Sequence, residues 1–165
     1  MSISVDEFRK GMRRLAGAVN IVTTADGNVR AGLTATAVTS LSAVPPRILV
    51  CVNRAGVTYE TIIRGKTLGV NVLSSQQQDL AMQFAGMTNV PETDRFDSDV
   101  WTSDITGAPL LKTALASFDC DVENTMDVGS HCIVIGNIRA VYTSTDIAAV
   151  PLCYADGTWA TLSPL

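Results

Sequence analysis

Between Leu33 and Leu41 the chain reads Thr-Ala-Thr-Ala-Val-Thr-Ser, with no side chain larger than valine. A strand that fills a core is ordinarily built from bulky β-branched and aromatic residues. Residues 31–42 have strand-forming types without that bulk, so the backbone at Thr34, Ala35, Thr36 and Ala37 is left bare. Such a strand can pack closely against another part of the protein. It can also receive a flat ligand along its N–H and C=O groups. After the rigid pair Pro45-Pro46 a second run, residues 47–53, is largely apolar and ends in the polar turn Asn53-Arg54-Ala55-Gly56. An arginine in that position can hold a phosphate.

The rest of the chain reads as more strands than helices. Ser4-Val5-Asp6-Glu7 has the form of a capping box, and Val5, Phe8, Met12 and Leu15 recur at helical spacing, which predicts an amphipathic helix over 5–16. Residues 19–24 are β-branched and lead through Asp26-Gly27-Asn28 into the Thr/Ala run. Thr58 is expected to cap a short helix that runs to Arg64 and stops at Gly65. A strand over 67–73 and a helix over 76–85 follow, the helix with Leu80 and Phe84 on one face. Residues 87–103 have little period and read as a long loop, of the kind that is often functional or interfacial. Strands return over 114–124, 131–142 and 150–154. With no βαβ rhythm, the expectation is one domain, 1–165, mostly antiparallel β with peripheral helices.

Composition narrows the partners. Only 17% of the residues are charged, against about 25% in ordinary domains, so apolar surface is expected to be buried in a homodimer. A net charge of −4 without a basic run argues against nucleic acid. No apolar run approaches the ~20 residues that span a bilayer. The N-terminus has no signal-like pattern, so the expected place is the cytoplasm, off the membrane. Cys51, Cys120, Cys132 and Cys153 form no CxxC pair and read as reduced, mostly buried thiols. With a single histidine they offer no metal-ligand spacing.

No GxGxxG, GxSxG, HExxH or Walker loop is present, and no side chain transfers hydride, so redox chemistry here would need a cofactor. Asn71 is a polar residue inside an apolar strand; a backbone group or a ligand would satisfy it, and the residues alone do not choose. Phe84 reads as core. Trp101, Tyr154 and Trp159 are large enough to wall a pocket, but core or interface packing is the first reading. His131 follows the turn Val128-Gly129-Ser130 and opens a strand.

GLTATAVTS followed by PPRILVCVNR resembles the short-chain flavin reductases that serve two-component monooxygenases. The resemblance continues in order through TLGVNVLSS, Phe84-Ala85-Gly86, Asp94-Arg95-Phe96, Trp101, Phe118-Asp119-Cys120 and Gly129-Ser130-His131, spanning 8–159. It is nearest to reductase partners of 4-hydroxyphenylacetate hydroxylase and of pyrimidine-ring-opening monooxygenase. The family implies an FMN-binding split β-barrel and an NAD(P)H:flavin oxidoreductase that passes reduced FMN or FAD to a separate monooxygenase. NADH is expected over NADPH, because cations are few. The resemblance places the flavin ring along Thr34, Ala35, Thr36 and Ala37. It places the phosphate at Asn53, Arg54, Ala55, Gly56 and Thr58, the flavin edge near Ala85 and Gly86, with Asn71 as a further contact, and the nicotinamide near His131, Ser130 and Gly129. Ala55 and Gly56 stand where serines are common in the family, and Ser130 where an aspartate is common. Two other readings stay open: a flavin carrier or electron-transfer module, and a reductase of a bulky substrate such as a corrinoid.

Overall fold

The computed structural model describes residues 3–163. A first helix, α1 (Val5–Met12), precedes strands β1 (Gly17–Ala18), β2 (Asn20–Asp26), β3 (Val29–Ala35), β4 (Val38–Ala43) and β5 (Pro46–Asn53). Helix α2 (Val57–Gly65), strand β6 (Thr67–Val72) and helix α3 (Gln78–Phe84) follow. The chain ends with β7 (Trp101–Thr102), β8 (Leu110–Leu111), β9 (Ala116–Val128), β10 (His131–Thr143), β11 (Leu152–Ala155) and β12 (Thr158–Thr161).

Seven strands form one antiparallel sheet in the order β3-β2-β6-β9-β10-β5-β4. The expected single strand over 31–42 is two strands, β3 and β4, and they lie at opposite edges of that sheet. Only Thr36 and Ala37 join them. Three Cα steps reach at most about 11 Å, so the sheet curls until its two edges come together. The edges do not pair with each other, which leaves the barrel split at this point. The break has a local cause: the Thr36 carbonyl accepts from Val38 N–H at 2.9 Å and the Ala37 carbonyl from Cys51 N–H at 3.0 Å. The small residues let the chain change partners within two positions.

Alternation then sorts side chains between two cores. Val22, Val50, Val52, Leu68, Val70 and Val134 fill the barrel, with Leu33, Ala35 and Val38 half-buried at its border. Ile21, Leu73, Phe84, Phe96, Trp101 and Leu152 belong to a second cluster outside it. Strand β2 faces both, which is why residues 20–25 are buried without interruption.

The helices differ from expectation in ways that packing explains. The capping box at Ser4 and Glu7 forms, but α1 ends at Met12, and the 3.1 Å bonds that follow, Arg14 N–H to Gly11 and Leu15 N–H to Met12, are of the tighter i→i+3 kind. Asp156 N–H holds the Arg13 carbonyl at 2.7 Å and fixes where the chain leaves the helix. Gly56, not Thr58, is the N-cap of α2; Thr58 lies inside the helix and is buried. The helix runs through Gly65, and Lys66 takes the left-handed conformation that ends it. Gly65 is small for another reason, since a Cβ there would sit 2.0 Å from the Ala25 carbonyl oxygen. The predicted helix over 76–85 divides into a 3-10 turn, Ser75–Gln77, and α3.

Residues 87–103 are less of a free loop than their sequence suggests. Phe96 and Trp101 turn inward and meet Phe84, with ring centroids 5.0–5.4 Å apart. Gly32 lets α3 approach β3, because a Cβ there would lie 2.9 Å from the Phe84 ring. The four cysteines are free thiols, three of them buried. Burial, reinforced by Asp119 and Asp121, pushes the Cys120 thiol up to about 12, so it stays protonated and unreactive near neutral pH.

Candidate functional site

Strand β3 pairs with β2 on one side only, so alternate N–H and C=O groups along its other edge are free of strand partners. Two adjoining hollows lie along this edge. One, of about 220 Å³, is lined by Thr34, Ala35, Thr36, Met87, Tyr154 and Trp159, with Ala85 at its margin. Tyr154 and Trp159 meet edge to face at 5.1 Å and form an aromatic wall opposite the small residues. The other, of about 300 Å³, shares Ala85 and continues past Gly86 and Gly32 to Asn53, Ala55, Gly56 and Thr58.

The far end of the second hollow suits an anion. Helix α2 begins there with Gly56 as N-cap and no side chain bonded to its first N–H groups. Those groups and the helix dipole favour a negative charge. The Asn53 Oδ1 accepts from Ala55 N–H at 2.9 Å and holds the turn that presents them. Arg95 lines the same space with its side chain only 9% exposed. Its Nε is buried without a hydrogen-bond partner, and its nearest carboxylate, Glu92, is 3.7 Å away. A buried guanidinium so poorly satisfied is an unfilled donor in a cradle of other donors.

Nine of the sequence-predicted residues therefore meet in one groove: Thr34, Ala35, Thr36, Asn53, Ala55, Gly56, Thr58, Ala85 and Gly86. Three side chains are engaged elsewhere, and one residue lies outside the groove. The Thr34 hydroxyl donates to the Ala81 carbonyl at 2.6 Å, which leaves its backbone rather than its hydroxyl for a ligand. Ala37 is exposed beyond the break in the strand and borders neither hollow. Arg54 pairs with Asp127 at 3.0 Å and donates to the Gly129 carbonyl at 3.1 Å, which ties the two turns together. Asn71 is fully buried and satisfied: its Nδ2 donates to the Ile21 carbonyl at 3.1 Å, and its Oδ1 accepts from Leu111 N–H and Ser117 Oγ, both at 2.8 Å.

His131 borders neither hollow but pairs in register with Asn53, at the same end of the sheet as the α2 turn. Its Nδ1 meets Ser130 Oγ at 2.9 Å, and the Ser130 carbonyl accepts from Arg54 N–H at 3.0 Å. The predicted nicotinamide and phosphate groups thus share one rim. Sequence reasoning missed Arg95 and, for Tyr154 and Trp159, ranked core or interface packing above the pocket wall that they form. The signal for Arg95 was its place in Asp94-Arg95-Phe96, a cation beside an aromatic inside an otherwise featureless stretch.

Known proteins are similar to this chain in sequence and in overall fold. An FMN reductase (NADH), RutF, of Stutzerimonas stutzeri is 42% identical over 137 residues, covering 83% of this chain and 78% of the relative. The flavin reductase component BorF of a bacterial two-component tryptophan halogenase superposes with a TM-score of 0.87 at 30% identity, covering 98% of this chain and all of that one. The NADH:FAD oxidoreductase SgcE6 of Streptomyces globisporus gives 0.87 at 26% identity, covering 99% of this chain and 98% of that one. The family described as flavin reductase like domain matches residues 12–163, and the chain belongs to it.

Proposed function

We propose that the chain is an NADH-dependent flavin reductase that hands reduced flavin to a separate monooxygenase. The observation that carries this reading is one groove in which a bare strand edge, an uncapped helix N-terminus and a poorly satisfied buried arginine follow one another. The names of the relatives support both the flavin and the nicotinamide. Bound flavin supplies what no side chain can, acceptance of a hydride from reduced nicotinamide. The chain's own residues bind and orient. The β3 edge at Thr34–Thr36 offers backbone hydrogen bonds to a flat polar ring, and Tyr154 with Trp159 shields it from water. The first turn of α2 and Arg95 hold the phosphate, so the groove is occupied in one direction only. The groove is open along its length, which fits a flavin that leaves after reduction.

The deciding experiment is NADH oxidation by the purified chain with and without added FMN or FAD. Turnover that requires added flavin supports the reductase. Retained colour with negligible NADH oxidation would instead favour a carrier. His131 is exposed and its Nε2 has no partner among the described residues, so it is placed to donate to the nicotinamide amide or phosphate. One such bond has a net value of about 0.5–1.5 kcal/mol. His131→Ala is therefore expected to raise the apparent KM for NADH several-fold while flavin affinity holds. Unaltered NADH kinetics would reduce His131 to a residue of the turn.

The same reading includes a homodimer in the cytoplasm. Helix α1 leaves Val5 and Phe8 more than half exposed, as is Leu15 just beyond its end, and no described residue of the chain buries them. No helix among the described residues is long and apolar enough to cross a membrane, and a second copy is the commonest cover for such a face. Sedimentation at micromolar concentration should give twice the chain mass of 17.5 kDa. An active monomer would overturn the association.

A further inference from the structure

Arg54 stands beside the phosphate end of the groove without lining either hollow. Its bonds run instead to the turn that opens β10. Arg54 N–H donates to the Ser130 carbonyl at 3.0 Å, and Nη1 donates to the Gly129 carbonyl at 3.1 Å. Nη2 meets the Asp127 carboxylate at 3.0 Å, on the strand that enters the same turn. Tyr59, in the first turn of α2, donates its hydroxyl to that carboxylate at 3.2 Å. The Tyr59 ring also lies 5.9 Å from the guanidinium, so the arginine is held by a carboxylate, a carbonyl and an aromatic face at once.

Stability does not account for this cluster. The Arg54 and Asp127 side chains are 42% and 44% exposed, and an ion pair so exposed adds little to folding. Strand pairing already closes the turn, since His131 stands in register with Val128 on β9 and with Asn53 on β5. What the cluster adds is position. It links the start of α2, through Tyr59, Asp127 and Arg54, to the Gly129-Ser130 turn. The turn in turn sets the imidazole, because Ser130 Oγ meets His131 Nδ1 at 2.9 Å. A ligand anchored at the α2 N-terminus and a ligand met by His131 are thereby held at a fixed separation.

We propose that Arg54 is a positioning residue for the nicotinamide and not a ligand of the flavin phosphate. Clamped by Asp127 and Tyr59, it holds the Gly129-Ser130 turn so that His131 reaches a nicotinamide lying over the bound flavin. The proposal rests on the reductase reading of the groove. The test compares the wild type with Arg54→Gln, Arg54→Lys, Tyr59→Phe, His131→Ala and the double variant Arg54→Gln/His131→Ala. NADH kinetics are measured at saturating FMN, and FMN affinity by titration calorimetry. Arg54 and His131 are exposed and the Arg54 N–H bond survives substitution, so these variants are expected to fold. Arg54→Gln is expected to raise the KM for NADH about three- to tenfold, the range of one lost hydrogen bond. FMN affinity and kcat should hold, because the bond that His131 makes is one of binding. A merely structural loss would lower kcat and leave KM alone, and would overturn the proposal. Arg54→Lys keeps the charge without the planar fork, so it is expected to match Arg54→Gln. Wild-type kinetics in the lysine variant would show that NADH requires a charge there and not a position. Tyr59→Phe removes one hydroxyl and no bulk, and should raise KM by a smaller factor. The double variant is expected to be no worse than His131→Ala, since one residue acts through the other. Effects that multiply overturn the proposal, as does an Arg54→Gln variant with weakened FMN, which would return the arginine to the flavin phosphate. Wild-type kinetics in His131→Ala would remove the nicotinamide reading of that residue and the proposal with it. A wild type that does not oxidise NADH overturns the reductase reading itself, which is a different result.

Discussion

Ala85→Trp is expected to abolish flavin binding while the protein stays folded. Ala85 borders both hollows at the point where they join, so a side chain added there lies between the strand edge and the phosphate end. The residue itself is exposed and caps α3 in the ordinary right-handed conformation, at φ −82° and ψ −2°. Its structural duty is a backbone one, an N–H bonded to the Ala81 carbonyl at 3.0 Å, which any residue but proline keeps. An exposed substitution away from packing changes stability by no more than about 0.5 kcal/mol. An indole in the middle of the groove excludes a flat ligand, and the loss should be on the order of 100-fold or more, ~2.7 kcal/mol of binding free energy. Calorimetric titration of wild type and variant with FMN reads the affinity, and circular dichroism confirms the fold. Wild-type affinity in the variant would move the flavin out of this groove, since no pose along β3 that reaches α2 avoids Ala85.

What sequence could and could not reveal follows from the kind of signal each residue carries. The hairpins and long strands were legible because their alternation is strong: Val50 and Val52 in β5, Cys132 and Val134 in β10, each separated by a residue of the other face. The division of residues 31–42 was not legible. Alternation is read from contrast in side-chain bulk, and a run of Thr, Ala and Ser has little. The event that splits it is a change of hydrogen-bond partner, from β2 to β5, which leaves no mark on residue type. Arg54 and Arg95 show the same limit for the site. Both are arginines near a turn, and only the fold reveals that one is paired with Asp127 while the other is buried without a partner for its Nε. The wall formed by Tyr154 and Trp159 depends on β11 and β12 folding back to β1, far in sequence from the Thr/Ala strand. Of the residues that family resemblance singled out, Thr34, Ala35, Thr36, Asn53, Ala55, Gly56 and Thr58 line the groove, while Ala37 and Arg54 do not. Where the contribution is a side chain's, the partners decide, and these lie elsewhere in the chain.

Asn71 is where that distinction has its largest consequence for stability. Its sequence position left two readings, a ligand contact or an internal hydrogen bond. The side chain joins β6 to β2 through Ile21, to the end of β8 through Leu111 and to β9 through Ser117, with no exposed surface. The amide thus helps to pin the segment between Trp101 and Leu111, together with the Thr23 hydroxyl on the Pro109 carbonyl and Thr106 on the Asp119 carboxylate. Asn71→Leu keeps the volume but removes every one of these bonds and leaves Leu111 N–H buried without its acceptor. An orphaned buried polar group costs about 1–3 kcal/mol, and the lost bonds add to it, so destabilisation of roughly 3 kcal/mol or more is expected. In a chain of this length that lowers Tm by about 6–12 °C. Urea unfolding should report it as a lower midpoint with the same slope. Flavin affinity, measured well below the unfolding transition, should stay at the wild-type value, because the residue does not reach the groove. The opposite pattern, unchanged stability with weakened flavin, would return Asn71 to the site. That outcome would require its amide to give up three bonds of 2.8–3.1 Å.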